Sequence, residues 1–395
     1  MLHRGWKFFL PAFVAAGCLI TSLSGAAAAE VPQKGVWITC IGDSNVLGSR
    51  EAIDKAVTFA QRTGMNALYV QVYRGDESWF DSQLADPVPF KRNRAQAGED
   101  TFALMIRRAH EAGLEVHAWL NTLTVSKNEN AKILRQNGKG VLTLDQHRRV
   151  SMESAPTRKK IYLREEQLFT EPGDWRVRER IIGIAKELAT AYPQLDGIHF
   201  DYIRYPASPP FIPGSRFNDV GLSYGYGPAN VKRFTDVKGI DPFSIGGDRG
   251  KAQVWDDWKR DRVTTLLEDA AREAKAVNPA LKISAAVLSP SDRAYLSAFQ
   301  DWPRWIEQGI VDYVVLMNYS EDSRVVGLHA KAALGLADGD AQKVQVGLGA
   351  FLLKDRPEAL RTQIELLRRA EVGGIVYFDY DSLLNSEPLT NLAAS

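Results

Sequence analysis

The segment Asp196–Pro206 reads DGIHFDYIRYP and concentrates more reactive side chains than any other stretch of the chain. Gly197–Phe200 is a short apolar run of buried-strand type. It ends in a carboxylate, Asp201, followed by an arginine and two tyrosines. A carboxylate placed where a strand gives way to a loop is how a parallel barrel presents its chemistry. Side chains alternate along a strand, so His199 and Asp201 share one side. A strand-end aspartate also serves as a turn former, so its neighbours in space must decide its role.

Other apolar runs end in the same manner. Trp37 belongs to the first. The second gives Gln71, Arg74 and Asp76, and the third gives His117, Trp119 and Asn121 at alternating positions. Beyond Asp201 stand Arg204 and Tyr205, later Ser289 and Asp292, then Asn318, Tyr319, Glu321 and Asp322, and finally Asp379 and Asp381. Carboxylates and amides hydrogen-bond hydroxyl groups, and aromatic faces cover C–H patches, so this set suits a polyhydroxylated ligand. It suits phosphate poorly, because Arg74 and Arg204 are the obvious cations. Hydrolysis of a glycosidic bond uses two carboxyl groups, one protonated and one ionised. Asp201 is the expected ionised group, nucleophile or base, because Arg204 favours its charged form. The acid is sought among Asp76, Glu321 and Asp322, with Asp76 and Glu321 completing the catalytic set. Trp37, Gln71, Arg74, His117, Trp119, Asn121, His199, Arg204, Tyr205, Asn318, Tyr319 and Asp379 form the expected substrate-binding set. His117, His199 and Asp201 could instead hold a metal for a hydrolase such as a deacetylase. The His-x-His pair common in metal-dependent barrels is absent, and no metal or cofactor is expected.

The 395 residues carry a net charge of +1 and 45% hydrophobic residues, ordinary globular values that give no pull toward nucleic acid. The expected partner is a poly- or oligosaccharide, and nine tryptophans and thirteen tyrosines supply flat rings for it. His3, Arg4 and Lys7 precede an apolar run, Phe8 to Ile20, and small residues ending at Ala29. That order predicts a signal peptide over residues 1–29 and an exported protein, periplasmic or secreted, with no stable membrane span after processing. Lipoprotein anchoring at Cys18 is the alternative. Cleavage at Ala29 leaves Cys40 alone, which excludes an intrachain disulfide and cysteine-type zinc sites.

Positioning so many strand ends requires a repeating framework. Eight strand-like runs are present: Gly35–Thr39, Ala67–Val72, Glu115–Leu120, Gly197–Asp201, Lys282–Val287, Tyr313–Met317, Val344–Gly347 and Gly374–Phe378. They are short and mostly unalternated, as expected for strands covered on both faces. Helical stretches at Arg50–Thr63, Thr101–Ala112, Arg176–Tyr192, Trp255–Val277 and Pro357–Arg369 separate several of them. The alternation predicts a single (β/α)8 TIM barrel over residues 30–395. An open doubly wound sheet lacks support, since no glycine-rich phosphate loop follows the first strand. The strand-to-helix connections Tyr73–Glu99, Asn121–Gly173 and Tyr202–Arg249 are long and would wall one cleft, with Ser208–Gly227 as a lid.

GVWIT at Gly35–Thr39, QVYRGD at Gln71–Asp76, HAWLN at His117–Asn121 and the Asp196–Pro206 motif together resemble the glycosyl-hydrolase-like family 10 of exported bacterial barrel proteins. The resemblance implies a (β/α)8 glycoside hydrolase acting on envelope or matrix glycans. It matches Asp201 and Asp76 to the family's strand-four and strand-two acids, and His117, Trp119 and Asn121 to its strand-three motif. Tyr202 stands where the family often has a second acid, which keeps a non-catalytic glycan-binding barrel in view. LDGIHFDYI, VVLMNY and GGIVYFDYD are distantly similar to chitinase-type barrels. Ile203 occupies their glutamate position, so their substrate-assisted mechanism is not expected here.

Overall fold

The computed structural model describes residues 32–152, 165–207 and 222–395. The expected signal peptide, Cys18 and most of the expected lid lie outside the described residues.

Eight parallel strands close on themselves. They are β1 (Gln33–Ile38), β2 (Ala67–Arg74), β3 (Glu115–Asn121), β4 (Gly197–Asp201), β5 (Lys282–Leu288), β6 (Tyr313–Met317), β7 (Val344–Gly349) and β8 (Gly374–Phe378). Each pairs with its sequence neighbours, and β1 pairs with both β2 and β8. The register of β4 sets Asn121 beside Asp201 and Trp119 beside His199. This is the expected (β/α)8 barrel. The helices on its outside include α1 (Arg50–Arg62), α2 (Thr101–Glu111), α3 (Trp175–Ala191), α4 (Arg249–Val277), α5 (Trp302–Glu307), α6 (Ser323–Leu336) and α7 (Pro357–Arg369).

Local chemistry sets the helix starts. Ser49, Asp100, Asp174, Asp248 and Asp322 each accept backbone N–H groups of the helix they precede. The Asp248 cap starts α4 at Arg249, earlier than the apolar pattern from Trp255 indicates. The long connections also hold helices absent from the sequence reading: Val88–Ala97, Lys132–Asn137 and Pro228–Lys238. Each buries only two or three side chains, so none carries a continuous apolar stripe for periodicity to detect.

Strand alternation sorts the core into two parts. Outward residues such as Val70, Val116, Ile198 and Leu316 pack against the helices. Inward residues form a separate aromatic cluster of Trp37, Tyr69, Trp119 and Tyr313 with Ala67, Val315 and Val376. At its lower end the Tyr69 hydroxyl meets the Tyr313 hydroxyl at 3.0 Å and donates to Gln345 at 3.1 Å. Large rings fit because small residues face them. A Cβ on Gly347 would lie 2.7 Å from the Trp37 ring and 2.9 Å from the Leu316 carbonyl oxygen. Gly347→Ala should therefore destabilise the barrel by about 1–3 kcal/mol. A lower urea midpoint with an unchanged denaturation slope is the expected reading.

Candidate active site

A cavity of about 390 Å³ opens at the C-terminal ends of the strands, where barrels carry their sites. One side is polar: Arg74 from β2, Trp119 and Asn121 from β3, Asp201 from β4, and Tyr202 just after it. The other is mostly apolar: Trp37 from β1, Ile41 beyond it, Met317 and Tyr319 at the end of β6, and Phe378 from β8, with Asp379 following. Thr39, Gly42 and Ala286 complete the lining. Asp201 and Asp379 are the two carboxylates in it among the described residues.

Asp201 is buried, and both its oxygens are held. The Trp119 indole Nε1–H donates to Oδ2 at 3.1 Å, and the Tyr202 backbone N–H donates to Oδ1 at 2.7 Å. Desolvation pushes its carboxyl up from the ordinary 3.8 to about 6, outweighing the opposing pull of Arg204, of the Tyr202 amide and of Trp119. Arg204 does favour the charged form, as the sequence suggests, but burial is the larger effect and leaves the carboxyl above its ordinary value. Arg204 is itself buried, and its guanidinium donates to both oxygens of Glu165 at 2.6 and 3.0 Å. It lies 4.7 Å from the centre of the Tyr202 ring, behind the cavity wall. The Tyr202 hydroxyl accepts a hydrogen bond from Gln167 at 3.2 Å, which orients the ring that lines the cavity.

Asn121 is set by β2: its Oδ1 accepts from the Gln71 side-chain amide at 3.0 Å, leaving the Asn121 amide nitrogen for the cavity. Gln71 is fully buried below, and its own oxygen accepts from the Cys40 backbone N–H at 3.3 Å and thiol at 3.1 Å. Burial pushes the Cys40 thiol up to about 12, so Cys40 is a packing residue rather than a thiolate. Asp379 caps the short helix Tyr380–Leu384 and accepts from the Ser382 backbone N–H at 3.0 Å. The Tyr319 hydroxyl is pushed far up, first by burial and then by the charges of Asp201, Tyr202 and Asp379 around it.

Seven expected residues thus meet at one cavity: Asp201, Asp379, Trp37, Arg74, Trp119, Asn121 and Tyr319. The others are placed elsewhere. Asp76 is sealed away from the cavity. It accepts from Arg180 of α3 at 3.0 Å, from the Tyr73 hydroxyl at 3.1 Å and from the Ile133 amide at 2.6 Å, which makes it a tie between β2, the connection after β3 and α3. Glu321 is exposed and pairs with Arg356 at 2.6 Å. Asp322 caps α6 and pairs with Arg324 at 2.8 Å. His117 lies in the barrel floor, stacked on Tyr69 at 4.9 Å with Nε2 3.2 Å from Glu115. His199 sits under Trp37 with Nδ1 2.9 Å from the Ser284 hydroxyl, and burial, then His117, drives its ring to the neutral form. Tyr205 donates to Glu171 at 2.6 Å, and Asn318 donates to the Val326 carbonyl at 2.9 Å. No group of three or more His, Cys, Asp or Glu side chains gathers to hold a metal among the described residues. Thr39, Ala286, Met317 and Phe378 were missed, although extending each strand's inward alternation to its last residue would have reached them.

Two stability measurements follow from these placements. Asp76→Ala strands the buried Arg180 and should cost roughly 3–5 kcal/mol, whereas Glu321→Gln at the exposed pair should stay within about 0.5 kcal/mol. For Asp201, the folded state keeps its proton to higher pH than the unfolded chain does. Stability contributed at this site is therefore lost as pH rises from 3.8 through about 6. The melting-temperature difference between Asp201→Asn and the wild type should therefore move in favour of the variant between pH 4 and pH 8, by the equivalent of roughly 2–3 kcal/mol.

Residues 32–345 match the family described as Glycosyl hydrolase-like 10. The glycosyl hydrolase DigH of Escherichia coli K12 is 24% identical over an alignment of 417 positions, covering 92% of this chain and 86% of that protein. The glycosyl hydrolase YngK of Bacillus subtilis is 25% identical over 370, covering 85% and 64%. Among solved structures, the catalytic domain of a beta-amylase from Paenibacillus polymyxa superposes with a TM-score of 0.56 at 13% identity, over 90% of this chain and 94% of that one. An endo-beta-1,4-mannanase from Thermotoga petrophila gives 0.56 at 11%, over 93% and 76%. These likenesses confirm the barrel, and the match over most of its length, together with the strand-end motifs that build the cavity, makes this chain a member of the glycosyl hydrolase-like 10 family.

Proposed function

We propose that this protein is an exported glycoside hydrolase that cleaves an amino-sugar-containing bacterial glycan, either peptidoglycan strands or an exopolysaccharide. The observation that carries the reading is the pair of carboxylates, Asp201 and Asp379, in one cavity with a polar and an apolar side. A sugar ring has an apolar C–H face and a polar rim, and this lining offers a surface for each. Arg74 and Asn121 face hydroxyl and acetamido groups, while Trp37, Tyr319 and Phe378 cover the ring.

The surroundings of Asp201 support a division of labour. A carboxyl raised to about 6 by burial keeps its proton to higher pH than an ordinary aspartic acid and suits the donor to the leaving glycosidic oxygen. Trp119 and the Tyr202 amide then stabilise the carboxylate left after transfer. Asp379, steadied by the Ser382 amide, is the partner that attacks the anomeric carbon or activates water. The export half of the proposal rests on the charged, apolar and small-residue order of residues 1–29.

Release of reducing ends from purified peptidoglycan and from secreted polysaccharide is the direct test. Asp201→Asn and Asp379→Asn should each lower kcat/KM by roughly 10²–10⁴-fold with circular dichroism unchanged. If Asp201 donates the proton, wild-type kcat/KM falls as pH rises through about 6. A rise over the same interval would return Asp201 to the role of base. Binding of glycan without new reducing ends would reject hydrolysis.

A further inference from the structure

We infer that Phe351, with Ile41, forms an outer sugar platform at the rim of the cavity and holds the pyranose ring adjacent to the one at Asp201. The inference rests on the glycan reading above and specifies where a second ring binds.

Phe351 lies in the one-turn helix Ala350–Leu352 directly after β7. It is 42% exposed and is the sole phenylalanine so exposed among the described residues. Its ring is not loose. It stands edge-on to Tyr319 with centroids 5.8 Å apart and an interplanar angle of 84°, and to Phe378 at 5.9 Å and 75°. Tyr319 and Phe378 themselves line the cavity, so the apolar side runs continuously from inside to rim. Ile41, beyond β1 on the other flank of β8, lines the same cavity and is 63% exposed. Two large apolar side chains thus lie open to water next to a sugar-sized hollow, on the side that lacks Arg74, Asn121 and Asp201.

A ring already fixed by edge contacts loses little freedom when a ligand stacks on it, so the contact contributes more of its gross energy to binding. A sugar at this rim would place its C–H face on the aromatic ring while its hydroxyls remain in water. The consequence is length dependence: affinity should grow as the glycan becomes long enough to reach Phe351.

The test uses the full exported chain carrying Asp201→Asn, so that ligands persist. Probes are N-acetylglucosamine oligomers of one to six residues, purified peptidoglycan strands and the secreted polysaccharide. Calorimetry should show affinity rising with length for whichever probe binds. Phe351→Ala should weaken the longest ligand about tenfold and flatten the length dependence, and Phe351→Trp should restore it. Leu328→Ala, which removes an exposed side chain on α6 outside the cavity, should change nothing. Full length dependence in the Phe351→Ala protein overturns the platform. So does a change of oligomeric state on Phe351→Ala without a change of affinity, which would assign the patch to self-association. Failure of every glycan to bind with Phe351 intact would instead remove the glycan reading on which the platform rests.

Discussion

A strand side chain in a closed barrel points either at the axis or at the helices, and this two-way division governs the rest of the molecule. Outward positions of the strands are mostly aliphatic, with Phe200 and Tyr377 among them, and pack against the helices. Inward positions must fill a narrow tube whose upper end is open. Here the tube is filled mainly by rings, with Val315 and Val376 between them: Tyr69, His117 and Tyr313 below, His199 and Trp37 in the middle, Trp119 and Phe378 above. Rigid rings stacked from below give the cavity a fixed floor. Tyr69, Tyr313 and Gln345 satisfy one another's polar groups at the bottom, so the aromatic filling leaves these groups paired.

The same filling governs the electrostatics of Asp201. Its carboxylate accepts from an indole and a backbone amide in a buried setting, with little water to solvate its charge. An arginine three residues away would ordinarily compensate, but Glu165 holds both of its terminal nitrogens and leaves only a partial field at Asp201. Desolvation therefore prevails, and the carboxyl titrates near 6 rather than near 4. An acid of that strength has a moderate driving force both for giving up a proton and for taking one back, as a proton-transfer group requires. A strained energetic position of this kind is maintained by the stability of the surrounding barrel.

Much of this arrangement was legible in the chain. Apolar runs of four to six residues, punctuated by capping aspartates, gave the strand order and the barrel, and alternation along β3 put Trp119 and Asn121 on one side together. What was not legible concerned depth and partnership. Asp76 and Asp201 both follow strands and both look like exposed loop acids in sequence. One is locked to Arg180, more than a hundred positions away, and only a folded chain reveals that tie. His117 and His199 share the inward side with Asn121 and Asp201 but sit lower. Alternation gives the side of the sheet and not the height along the axis. Glu321 and Asp322 follow β6 as Asp379 follows β8, yet an exposed ion pair and a helix cap direct them away from the hollow.

Asp379 and Phe351 show why closure matters more than motif. Both lie beyond residue 345, where the family match ends, and Phe351 belongs to no distinctive sequence pattern. They enter the site because β8 must pair with β1 to complete the cylinder, through the register that sets Gly35 beside Val376 and Val36 beside Tyr377. That pairing brings the C-terminal end of β8 around to the hollow already lined by Trp37 and Trp119, and carries the turn after β7 with it. A sheet left open at this seam would leave Asp379 on an edge strand, away from Asp201. The second carboxylate and the apolar rim are therefore products of the ring of hydrogen bonds, and whatever loosens the β8–β1 seam should separate the two acids before it unfolds the remaining strands.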